Sequence, residues 1–126
     1  MNPIRILAQF KSSLISFMDE LITLLPDESD FIIGRMFISD SVNIEDVIKA
    51  FSLKIYENDD LLKKMIKTRD ESFFLKNNVF SYFGDSKVNK FKDIWMQGRL
   101  DQEDKDTIWK WVDIFVVLTD KYYKRI

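Results

Sequence analysis

The stretch DQEDKDTIWKWVDIFVVLTDKYYKR, residues 101–125, decides the fold class. At about 100° per residue, Ile108, Trp109, Trp111, Val112, Phe115, Val116, Leu118, Tyr122 and Tyr123 gather into one arc of about 180°. Asp106, Lys110, Asp113, Asp120, Lys121 and Lys124 fall opposite it. This is a helix with one apolar side. Asp101 can cap its start, Glu103 and Asp104 lie at the positive end of its dipole, and Lys121, Lys124 and Arg125 lie at the negative end. Asp106–Lys110 and Asp120–Lys124 have the acid-first order that favours pairing one turn apart. Half a circumference is too wide for one neighbour, so the helix is expected between two others.

The same period recurs toward the N-terminus. From Pro3, with Asn2 as cap, Ile4, Leu7, Phe10, Leu14, Phe17, Met18, Leu21, Leu24 and Leu25 recur every three or four residues, an apolar series that must stop before Pro26. The spacing predicts a second helix over about 28–39, with Phe31, Ile32, Met36 and Phe37 facing the core. Asn43, with Asp46 in the capping-box position, opens a third carrying Val47, Ile48, Phe51 and Ile55. Asn58, Asp59 and Asp60 can cap a fourth that carries Leu61, Leu62, Met65 and Ile66. Phe73, Phe74 and Leu75 suggest a short helix, ended by Asn77 or Asn78 in a left-handed conformation. Gly84, Asp85 and Ser86 form a break. A helix over about 86–97 follows, with Val88, Phe91, Ile94 and Trp95 inward and Gly98 as its stop.

Three glycines and two prolines in 126 residues are too few for an all-β chain. With 46% hydrophobic and 14% aromatic residues, disorder is excluded for most of the length. The chain should fold with a surface of about 7,100 Å². The expected architecture is all-α: a single compact globular domain over residues 1–126, of five to seven helices, the first and last being long.

Chemistry is sparse. There is no His and no Cys, which removes the usual general base, the commonest metal ligand, thiol catalysis and disulfides. Asp19–Glu20, Asp59–Asp60 and Asp70–Glu71 are adjacent pairs, and neighbours on a helix point about 100° apart rather than at one atom. Asp101, Glu103, Asp104 and Asp106 lack the glycine and the final Glu of a calcium loop, and Gly84–Lys87 lacks the glycine spacing of a phosphate loop. No catalytic residue, cofactor or metal is expected. The longest apolar run, Ile114–Leu118, is far short of the roughly 20 residues that span a bilayer. The first 25 residues are amphipathic and interrupted by Lys11, Asp19 and Glu20, unlike an export signal. No membrane contact and an intracellular location are therefore expected.

Two surfaces are candidates for binding. Trp109 and Trp111, about 200° apart, border the apolar arc of the C-terminal helix, while Ile114 and Val117 emerge on its charged side. These four residues are the candidate protein interface, for a partner protein or for a homo-oligomer. The alternative is nucleic acid. The net charge of −2 divides as −6 over residues 1–60, +5 over 61–99 and −1 over 100–126. Lys63, Lys64, Lys67, Lys87, Lys90 and Lys92 of the basic third are the candidate phosphate contacts.

Phe10–Lys11 with Asp19–Glu20–Leu21, Pro26–Asp27–Glu28, Arg69–Asp70–Glu71 with Phe73–Phe74–Leu75, Lys87–Val88–Asn89 with Phe91–Lys92 and Trp95, then Asp104–Lys105 and Ile108–Trp109–Lys110–Trp111 form a set. From about Phe10 to Lys124 it resembles short uncharacterised helical proteins of nucleocytoplasmic large DNA viruses. The resemblance implies an infected cell as the source and a viral protein as the partner, drawn from assembly, transcription or packaging machinery. It implies a place in the host cytoplasm or in the virion, and it carries no catalytic residue. The expected function is a non-catalytic interaction module; the alternative is a nucleic-acid-binding accessory protein.

Overall fold

The computed structural model describes residues 2–77, 82 and 84–124. Among them are seven helices and no strand: α1 (Pro3–Leu24), α2 (Ser29–Asp40), α3 (Ile44–Ile55), α4 (Glu57–Lys67), α5 (Ser72–Leu75), α6 (Asp85–Met96) and α7 (Gln102–Tyr122). The first and last are the longest, at 22 and 21 residues. The exposed surface of 7234 Å² is close to the value of about 7,100 Å² that chain mass dictates.

Helix boundaries follow the local chemistry. Asn2 Oδ1 accepts the Arg5 N–H at 2.9 Å, and Pro3 occupies the first helical position, where it forfeits no bond. Asp101 and Asp104 form a reciprocal capping box, at 2.8 and 3.2 Å. Asn43 caps α3 through Glu45 N–H rather than Asp46 N–H. Gly98 ends α6 at a φ of 70°.

Two turns depart from the sequence expectation. Asn58, Asp59 and Asp60 do not cap α4; all three adopt left-handed conformations, with φ of 53°, 55° and 61°. Asn and Asp bear this conformation with the least penalty after glycine. Asn77 does not end α5 in a left-handed conformation, and Asn78 lies outside the described residues; the left-handed residue lies instead after α4, at Arg69 (φ 55°). The Asp70 N–H reaches Met65 O at 2.9 Å and the Arg69 N–H reaches Ile66 O at 3.1 Å, the paired bonds of a Schellman motif. Glycine is usual at that position. Here the arginine is held by its tertiary bonds: a bidentate pair with Asp113 at 2.9 and 2.7 Å, and the Trp109 ring 5.5 Å from its guanidinium carbon. The Asp113 hydrogen bond raises the arginine's proton affinity further.

α1 packs along both α2 and α7, and α7 is also contacted by α3 and α4, so α7 has the flanking helices that its wide apolar arc required. Phe10, Phe17, Phe51 and Phe115 interlock at the centre, with ring separations of 5.5 to 6.5 Å. A second aromatic group, Phe73, Phe74, Phe91, Trp95 and Trp109, attaches α6 to α5 and α7.

The core face of α2 is corrected. Phe31 is buried as expected, but Ile32, Met36 and Phe37 are exposed, and Gly34 and Ile38 point inward instead. Apolar residues surround almost the whole of α2, so spacing alone does not choose a face. Packing against α1 does, with Gly34 on the buried face, where an added Cβ would come within 2.9 Å of the Met18 methyl, the free end of a flexible side chain.

The α1–α2 turn is tied to the end of α6. Arg99 grips Asp27 at 2.7 and 2.9 Å and also bonds Glu28, whose other oxygen lies 3.3 Å from Lys90 Nζ. The Arg99 hydrogen bond, with Lys90 adding to it against partial desolvation, holds the Glu28 carboxyl below its ordinary value of 4.5. A lowered folded-state value contributes stability above the ordinary value and loses it as pH falls through the folded one. Acidification from about pH 6 to about pH 3 is therefore expected to lower the thermal midpoint of wild type by more than that of Glu28→Gln. Equal losses would show that this carboxylate carries no acid sensitivity.

Candidate functional site

The predicted interface residues separate. Trp109 is 2% exposed, ringed by Phe73, Phe74 and Trp95 at 4.7 to 6.1 Å, so its place at a binding surface is corrected: it is core. Trp111 is half-buried against Phe17 and Phe115, 6.4 and 6.5 Å away. Ile114 and Val117 are exposed as expected, on a face that they share with Lys110 and Lys121. The structure thus leaves two apolar side chains among charges there.

The six lysines also separate. Lys63 is corrected from a phosphate contact to an internal partner, since its Nζ lies 2.9 and 3.1 Å from the Asp120 carboxylate. Lys64 and Lys67 are exposed on α4. Lys87, Lys90 and Lys92 are on α6, which is not among the principal packing neighbours of α4.

Asp120 itself reads as surface in the sequence and is buried in the fold. It also accepts the Tyr56 hydroxyl at 2.7 Å, so its expected partner one turn on, Lys124, is replaced by two side chains from around the α3–α4 junction.

What the sequence did not indicate is a strip on the outside of α2. Ile32, Ile33 and Met36 stand together there, with Ile33 51% and Met36 58% exposed. Phe37, one turn beyond Ile33, leads from the strip into an open groove of about 980 Å³, solvent at its mouth included. α1 and α5 supply the groove's apolar floor through Leu14, Phe17, Leu21, Phe73 and Phe74. α2 forms one wall and α6 the other, the latter with Val88, Phe91 and the three lysines. Asp30 is the one carboxylate among the described lining residues. Among the described residues no group of three acidic, His or Cys side chains converges to hold a metal, and no helix is long and apolar enough to cross a membrane.

No family model matches the chain, and neither a curated protein nor a solved structure matches it.

Proposed function

We propose that the chain is a non-catalytic helical protein-interaction module, and that its partner is a viral protein of the assembly or transcription machinery in an infected cell. The observation that carries the binding role is the exposed strip of Ile32, Ile33 and Met36, continuous through Phe37 with an apolar groove. Scattered exposed apolar residues are ordinary, but adjacent ones that border a groove are characteristic of protein contact surfaces. The viral partner and the cytoplasmic or virion location rest on the resemblance alone. Ile114 and Val117 of α7 remain a smaller secondary contact, either for a partner or for self-association.

The test is co-purification from the native source with wild type and with an Ile33→Asp/Met36→Asp double variant. Both side chains are more than half exposed, so their replacement is expected to change stability by about 0.5 kcal/mol or less. The proteins that co-purify stoichiometrically with wild type should be lost with the double variant. An unchanged set of partners would remove α2 from the interface. An Ile114→Asp/Val117→Asp variant run alongside should have the lesser effect.

A further inference from the structure

We infer that the α1–α2–α6 groove seats an acid-bordered amphipathic helix from a partner protein, a conclusion that rests on the protein-binding reading and adds the chemistry of the occupant. The groove is asymmetric in charge. Its floor and its α2 wall are apolar, whereas Lys87, Lys90 and Lys92 line the α6 side. Lys90 is paired with Glu28 at 3.3 Å, and Asp30, on the α2 wall, is the one carboxylate among the described lining residues. The half-buried Lys87 stands beside Val88 and one turn from Phe91, so its ammonium borders an apolar surface. A ligand that fills such a trough needs an apolar face edged by carboxylates. A basic edge would meet like charge, which costs affinity and slows encounter.

The size of the surface favours a polypeptide over a small amphiphile. The apolar area does not end at the groove but continues over Ile33 and Met36 to the outside of α2. A helix lying along the trough places anchors at i, i+3, i+4 and i+7 into the floor while its flank covers the strip. The lysine wall then fixes which flank faces α6.

The probes are two fluorescein-labelled peptides of about 18 residues with the same leucine and phenylalanine face, one bordered by Glu and one by Lys. Anisotropy titration against the full chain at about 50 mM salt is expected to give at least about tenfold tighter binding for the Glu peptide, narrowing as added salt shortens the screening length. Lys87→Glu should erase most of that preference, and Ile33→Asp/Met36→Asp should weaken both peptides. Equal affinities, or a preference that Lys87→Glu leaves intact, would overturn the charge rule. Binding of neither peptide would overturn the helical occupant. In all these cases, partner loss in the α2 double variant would still uphold the broader reading. Displacement of the Glu peptide by oleate at one per chain would assign the groove to an amphiphile, and a dimer in sedimentation that Lys87→Glu dissociates would assign it to a second copy. Either result overturns the inference.

Discussion

Asp120→Ala is expected to cost about 2–4 kcal/mol, close to the loss seen when one partner of a buried ion pair is removed. The Asp120 side chain is 8% exposed and accepts from Tyr56 at 2.7 Å and from Lys63 at 2.9 and 3.1 Å. Its removal strands a hydroxyl and an ammonium together. Lys63 retains some access to water, so its charge can relax outward, and the loss should fall short of that for a fully buried pair. The midpoint should drop by roughly 10 °C for a chain of this size.

The same triad explains the left-handed turn. Asn58, Asp59 and Asp60 lie between Tyr56 and Lys63, and each left-handed residue costs up to about 1–2 kcal/mol. Both flanks of the turn are bonded to one carboxylate on α7, which holds the chain in that shape. Asp120→Ala should therefore also raise hydrogen exchange in residues 57–62 more than in α1. Asp120→Asn, which can keep the Tyr56 bond but loses the charge, should fall between. A loss below about 0.5 kcal/mol for Asp120→Ala would place the pair among solvated surface bridges instead.

How legible these features are in the sequence depends on how local their causes are. α1 and α7 could be read because each carries a single apolar arc and a cap at its start, and α1 also has a stop at Pro26. The left-handed end of α4 was not legible because Arg69 has no local reason to adopt that conformation. Its compensation comes from Asp113 and Trp109, 44 and 40 positions away in the chain. Asp120 reads as a surface charge because an acid one turn before a lysine matches a solvated pair; Tyr56 and Lys63 enter only through tertiary packing. α2 is ambiguous in its own sequence, and its packing against α1 decides which face is buried. The groove was the least legible part. It belongs to the arrangement of α1, α2, α5 and α6 and has no signature in the period of any one of them. Its one sequence trace is the excess of apolar residues around α2, more than a single buried face can use.

Phe74→Ala is expected to be the most damaging single truncation, at about 3–5 kcal/mol, because it removes a buried ring that touches four others. Phe74 is centred 5.0 Å from Phe73, 5.6 Å from Phe91, 4.5 Å from Trp95 and 4.7 Å from Trp109. Two of those rings belong to α6. Apart from this aromatic group, the attachments of α6 and its trailing turn include the Lys90–Glu28 and Arg99 bridges, which are partly exposed and weakened by salt. The Trp95 indole N–H is buried without a hydrogen-bond partner among the described residues, which offsets part of what its ring gains. α6 is thus the helix most easily released. In Phe74→Ala its amides should lose exchange protection before those of α1 and α7, and Trp95 emission should shift to the red. Phe10→Ala provides the control. Phe10 is also buried, centred 6.3 Å from Phe51 and 5.5 Å from Phe115, but it touches the central group and not α6. A comparable loss of stability there should release no helix selectively. If α6 remains as protected as α1 in Phe74→Ala, the aromatic group is not what holds it. If α6 is released, the lysine wall of the groove goes with it, and binding of the Glu-bordered peptide should fail in a variant whose other helices are still folded.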